Sequence, residues 1–302
     1  MKATDFAPPA DLEPLADGVY AYVQPDGGWC LNNAGVVVRG DDILVVDTAA
    51  TERRARALRA ALGRVAAVAP RLVVNTHFHG DHTFGNRIVG PDATVVAHHG
   101  TRSEMAATGL GLQRLWPNVD WGAVDIRLPH VTYRGELALY AGDLRVDLFH
   151  PGPAHTGGDT VAWIPEHEVL FAGDIVMNGV TPFCLMGSIE GSMRAINRLR
   201  ALKPRTVVPG HGAIGGSEVL DETEAYLRWV LEMARAGLAA GLTPEEVARR
   251  AGDHRFAHLR DAERLLPNLM RAYAELCGTS LDVLAAFDEM VRFHGLLPAC
   301  HA

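Results

Sequence analysis

The chain has 302 residues, 48% of them hydrophobic and 21% charged, enough for one large domain with a core or for a domain with an appendage. A formal net charge of -8 and a pI of about 5.9 leave no basic field for nucleic acid or an anionic membrane. The four cysteines (Cys30, Cys184, Cys277, Cys300) are widely spaced and form no CxxC pair, so they read as free thiols of a reducing compartment.

Residues 1–17 carry acids and prolines without an apolar run, so the expectation is a cytoplasmic protein with no signal peptide. No stretch approaches the ~20 apolar residues needed to cross a bilayer. Three short valine-rich strands are predicted at 19–23, 34–39 and 43–47. Between the first two, Asp26-Gly27-Gly28 reads as a mobile loop tip carrying Trp29. Residues 51–68 predict a helix capped by Thr51, with Leu58, Leu62 and Val65 on one face. A buried strand at 71–75 runs directly into Thr76-His77-Phe78-His79-Gly80-Asp81-His82, and a short strand follows at 94–97.

The second half repeats this plan. Strands are predicted at 137–140, 144–149, 160–164 and 169–172, a helix at 188–202, a strand at 206–208, and then a Pro209-Gly210-His211-Gly212 turn. Two β-then-α halves predict an α/β fold with two sheets between helix layers, a four-layer αββα sandwich. Beyond Gly216 the pattern is helical alone, at 218–240, after the Thr243-Pro244-Glu245-Glu246 start, at 262–277 and at 281–293. The division is therefore a catalytic domain at 1–216 and a helical C-terminal extension at 217–302, packing on or near the active site or serving a homodimer contact.

A single histidine after a strand is usually structural. Three histidines and an aspartate within six positions point instead to metal. On an extended segment His77 and His79 face the same way, while Asp81 and His82 lie where a helix begins and can aim at a second position. Glycine-rich surroundings allow close backbone approach at three further candidates: His155 in Gly152-Pro153-Ala154-His155-Thr156-Gly157-Gly158-Asp159, Asp174 after a strand, and His211 between two glycines. The other histidines (98, 99, 130, 150, 167, 254, 258, 294 and 301) lack such partners in sequence and read as surface or core residues; His150, just before the His155 loop, is the least clear-cut.

Across 18–216 these motifs resemble the metallo-β-lactamase fold superfamily. The resemblance implies that His77, His79 and His155 hold one metal ion, that Asp81, His82 and His211 hold a second, and that Asp174 bridges them. It implies two zinc ions, with iron or manganese as alternatives, Asp47 orienting a ligand histidine, and Asp81 also moving a proton. His79 stands where flavodiiron proteins carry glutamate, and Asp174 where the commonest secreted β-lactamases carry cysteine. The bridging aspartate favours thioester hydrolases and lactonases, while a single-iron persulfide dioxygenase and a silent binding protein share parts of the pattern.

A narrower resemblance joins the run from Asp26 to Gly35 and the segment Val46-Asp47-Thr48-Ala49-Ala50-Thr51-Glu52-Arg53 to actinobacterial cyclases of aromatic polyketide pathways. It implies a thioester substrate, small or tethered to an acyl carrier protein. Trp29, Trp116, Trp121, Phe183 and Met186 are the candidates for its apolar walls.

Overall fold

A computed structural model describes residues 10–302. Most of the amino-terminal segment expected to lack a signal sequence therefore lies outside the described residues. Strands β1 (Leu12–Ala16), β2 (Val19–Tyr22), β3 (Ala34–Arg39), β4 (Asp42–Val46), β5 (Leu72–Val74), β6 (Thr94–His98) and β7 (Val131–Tyr133) form the first sheet in that order. The second sheet runs β12-β11-β10-β9-β8, from β8 (Glu136–Ala141), β9 (Leu144–Phe149), β10 (Val161–Ile164), β11 (Val169–Asn178) and β12 (Thr206–Gly212).

Alternation builds the layers. Val37, Leu44, Val46, Val74 and Val96 point inward and meet Val146, Leu148, Ala162, Ile164 and Phe171 of the second sheet. Their neighbours Val36, Val45, Val73 and Val95 turn outward onto Ala55, Leu58, Ala61 and Leu62 of helix α1 (Glu52–Leu62). On the other side Val161, Trp163, Leu170 and Val207 are covered by α5 (Ile189–Ala201) and α6 (Glu218–Ala239). The result is the expected four-layer αββα sandwich. Each fully buried valine or leucine contributes roughly 1.5–3 kcal/mol. Because α6 belongs to this outer layer, the helical covering of β11 crosses the expected boundary at 216.

The remaining helices are α2 (Gly80–Thr83), α3 (Asn86–Val89), α4 (His99–Thr108), α7 (Pro244–Arg250), α8 (Leu265–Cys277) and α9 (Val283–His294). Thr51 caps α1 as expected, and Thr243 with Glu246 forms a full capping box on α7. Among the described residues no helix is long and apolar enough to cross a membrane.

Several expectations need correction. Helix α1 stops at Leu62 with Gly63 as its cap, and Val68 is exposed. β1 was not expected; it is an edge strand, where Pro14 is tolerated. Strand β11 does not end at Ala172 but continues to Asn178 through a bulge, and β12 runs on through His211 where a turn was expected. Trp29 is no mobile tip, since it is 8% exposed and its indole N–H donates to Glu263 at 2.7 Å.

Candidate metal centre

The centre forms where both sheets deliver strand ends to one edge. β5 leads into His77 and His79, and the first turn of α2 carries Asp81 and His82. His155 comes from the loop between β9 and β10. Asp174 sits on β11 just after Gly173, whose φ of +54° makes the bulge that aims it. His211 lies on the neighbouring β12. The close approach of these two strands requires Gly210, because a Cβ there would stand 1.9 Å from Asp174 Oδ1.

All seven side chains converge in two groups, His77, His79, His155 and Asp174, and then Asp81, His82 and His211. Within the first, His79 Nδ1 lies 3.0 Å from both His77 Nε2 and His155 Nε2. Asp174 Oδ2 is 3.8 Å from His77 Nε2 and 3.4 Å from His155 Nε2. Within the second, Asp81 Oδ2 is 3.3 Å from His211 Nε2 and 3.8 Å from His82 Nε2. Asp174 reaches this group too, with Oδ1 3.1 Å from His82 Nε2 and Oδ2 3.5 Å from His211 Nε2. It therefore stands between the groups.

Four of the imidazoles are turned by outer acceptors. The Nδ1–H of His82 donates to Asp47 at 2.8 Å, that of His211 to the Gly27 carbonyl at 2.9 Å, and that of His155 to the Phe183 carbonyl. His77 Nδ1–H donates to Thr76 Oγ1 at 3.0 Å, and that hydroxyl donates to Asp47 at 2.6 Å. Each ring is left with its Nε2 directed inward, as in ligand histidines. Asp47 reaches its place with φ of +62° and also accepts the Thr76 backbone N–H at 2.7 Å.

Metal ions fit this arrangement. His82 Nε2 and Asp174 Oδ1 are buried without a hydrogen-bond partner, and three imidazole nitrogens crowd at 3.0 Å with no proton donor for all of them. Burial would be costly for such groups unless a cation satisfied them. In the protein without metal, burial pushes the pKa of His79 down to about 3 and lowers His77 and His155. For His82 and His211 burial also acts downward, but Asp174 and neighbouring carboxylates outweigh it; His82 is raised and His211 reaches about 9. Burial opposes ionisation of Asp81 and Asp174, yet the surrounding histidines hold Asp81 at about 2 and Asp174 well below the usual range. The cluster is able to bind metal, and its two-lobed geometry suits a pair.

Above the centre lies a narrow cleft of about 50 Å³, small beside the roughly 300–1,000 Å³ of most small-molecule sites. Trp29, Trp116, Phe183 and Met186 line it, as does Cys30. Trp121 does not; it packs behind, on Phe84, and donates to the Trp116 carbonyl. Arg264 and Phe287, from the C-terminal helical part, also line the cleft, and no local sequence signal marked them. His150 stacks on His98 with ring centres 4.1 Å apart, away from the metal groups.

A two-sheet αββα sandwich with a His/Asp centre at one edge defines a class of metal-binding α/β proteins. The Metallo-beta-lactamase superfamily model matches residues 27–211, and the chain belongs to that superfamily. It is 29% identical over 184 residues to the 2,4-dinitroanisole O-demethylase subunit alpha of Nocardioides sp. (strain JS1661), covering 58% of this chain and 51% of that protein. It is 29% identical over 182 residues to a hydroxyacylglutathione hydrolase of Methylococcus capsulatus (strain ATCC 33009 / NCIMB 11132 / Bath), covering 60% of each. The chain thus spans between half and two thirds of these two relatives. Among solved structures, the DIM-1 metallo-β-lactamase superposes with a TM-score of 0.60 at 21% identity, over 74% of this chain and 99% of that one. That likeness shows the fold.

Proposed function

We propose that the protein is a dinuclear zinc hydrolase of thioesters, acting as a polyketide cyclase/thioesterase that closes a later ring of an acyl-carrier-protein-bound aromatic polyketide and releases it. One observation carries the reading: seven metal-type donors converge, and five of them (His79, Asp81, His155, Asp174 and His211) line a cleft whose walls are aromatic rings. The ring centre of Trp29 lies 5.3 Å from that of Trp116 and 5.2 Å from that of Phe183. Such walls suit a flat, apolar acyl group. Two relatives lend support, one named for an acylated glutathione and one for an aromatic ether.

His77, His79 and His155 would hold one zinc, Asp81, His82 and His211 the other, with Asp174 shared. When bound, such a pair supplies Lewis acidity and makes water nucleophilic near neutral pH. The chain's own residues do the positioning. Asp47, Thr76, Gly27 and Phe183 fix the imidazole tautomers. Asp81, ionised at neutral pH because His82 and His211 face it, can accept a proton at Oδ2 but has none to donate. The rings exclude water from the acyl group, which strengthens every electrostatic contact around it.

The test is metal content together with thiol release from pantetheine thioesters of aromatic acids. The reading expects about two zinc per chain, steady thiol release, and loss of both metal and turnover in Asp174→Ala. Absence of metal, or hydrolysis of lactones without thiol release, overturns it.

A further inference from the structure

We propose that Arg264 is the specificity-determining residue of the cleft, receiving on its Nε–H an uncharged oxygen acceptor, a ring carbonyl or phenol, carried by an otherwise flat and apolar substrate; this deepens the thioesterase reading and rests on it. Arg264 is 1% exposed and lines the same cleft as His79, Asp81 and Asp174. A guanidinium is rarely buried so completely unless every donor is used. Here Nη1 donates to the Thr181 carbonyl at 3.0 Å, and Nη2 lies 2.8 Å from Asp261. Nε has no hydrogen-bond partner.

The guanidinium carbon stands 4.0 Å from the Trp29 ring centre, but a π face is a weaker acceptor than oxygen. An orphaned buried donor is destabilising, and a ligand oxygen would offset that cost. The charge of Arg264 is already balanced by Asp261, and Glu263 adds a carboxylate on Trp29, so Arg264 itself offers no unpaired positive charge to an anion. That balance selects a neutral oxygen over a carboxylate. A flat ring lying against Trp29 and Phe183 would place such an oxygen beside Arg264, whose guanidinium carbon is 5.8 Å from the Phe183 ring centre.

The experiment measures binding, so it is independent of thioester turnover. Calorimetric Kd values are obtained on the full chain, as purified and zinc-loaded, for 2-acetylnaphthalene and its 6-hydroxy and 6-carboxy analogues. These ketones cannot be hydrolysed. The wild-type chain should bind the hydroxy compound about tenfold more tightly than the unsubstituted one. Arg264→Met removes the donor but also the hold on Thr181, and the variant could fail to fold. Arg264→Lys keeps a cation able to reach Thr181 and Asp261 while placing a methylene where Nε stood, so it should bring the Kd ratio to within about twofold. A wild-type ratio near one, an unchanged ratio in Arg264→Lys, or a preference for the carboxy analogue that Arg264→Lys removes would each overturn the assignment. Hydroxy selectivity without thioester hydrolysis would keep it and sink the proposed reaction instead.

Discussion

Replacing Asp47 by Asn separates the charge of this residue from its shape. Its φ of +62° is a conformation that Asp and Asn tolerate, whereas alanine would add a backbone cost of ~1–2 kcal/mol. Asp47 Oδ2 accepts from both Thr76 Oγ1 and His82 Nδ1, while Oδ1 accepts the Thr76 N–H. An asparagine can supply only one oxygen. Its amide nitrogen must then face either the His82 Nδ1–H and the Thr76 hydroxyl, or the Thr76 N–H. Each lost bond to a charged acceptor is worth roughly 1.5–3 kcal/mol, and loss of an outer partner typically weakens metal binding 10–100-fold. The second group should suffer most, because His82 loses its orienting partner directly. His77 feels the change only through Thr76. Titrating zinc-loaded protein with a chromophoric chelator resolves the two equivalents; the expected result is one equivalent released about 10–100 times more readily, the other shifted less. Retention of both within threefold of wild type, or equal loss of both, would refute this account of Asp47.

Gly210→Ala should leave at most one tightly held metal per chain by elemental analysis, because its Cβ would stand 1.9 Å from Asp174 Oδ1 and displace that carboxylate; full retention would show that the strands can separate there. The pH dependence follows from the raised pKa values of His82 and His211. In the metal-free chain their ion pairs with the carboxylates stabilise the fold fully below the ordinary histidine value, and for His211 this is lost as pH rises through about 9. His211 is therefore protonated at pH 7 in the metal-free chain, and metal uptake must displace that proton. Calorimetry in buffers of different ionisation enthalpy should show proton release on zinc binding that declines as pH is raised past 9; no buffer dependence at pH 7 would contradict the assigned protonation.

The cluster from His77 to His82 was legible because strand, turn and helix start all fall within a few residues, so local geometry alone aims four side chains. His155, Asp174 and His211 were legible through their glycines, although the reason differs from simple turn-making. Gly173 forms a bulge inside β11, and Gly210 lets β12 pass against Asp174. Strand pairing continues on both sides of that bulge, and sequence periodicity cannot show a parallel partner arriving from 34 to 37 residues away, as from Asn178 to Gly212 and from Val169 to Thr206. The Asp26-Gly27-Gly28 segment misled for a related cause. Gly27 is needed because a Cβ would stand 2.4 Å from the Gly212 nitrogen, a demand of tertiary contact that looks like flexibility in sequence. Arg264 and Phe287 carried no signal because an arginine before a helix and a phenylalanine within one read as surface and core until packing places them.

The aromatic wall and the candidate metal centre share their supporting segments. The Gly27 carbonyl that orients His211 lies two residues from Trp29, whose indole is tied to Glu263. The Phe183 carbonyl orients His155, and its own ring lines the cleft in edge contact with Trp29. Asn268 of α8, fully buried, holds that segment on both sides, donating to the Pro182 carbonyl at 2.7 Å and accepting the Cys184 N–H at 2.9 Å. The C-terminal tail adds a further tie, since its Pro298 carbonyl accepts the Trp116 indole N–H at 2.8 Å. Two metal-facing imidazoles are thus aimed by the backbone of segments that also carry wall rings, and the C-terminal helical part braces both segments. Ligand orientation at this centre depends on geometry finer than an ångström. The helical part beyond residue 216 therefore contacts the segments whose carbonyls orient His211 and His155, even though it contributes no side chain to the candidate metal-binding groups.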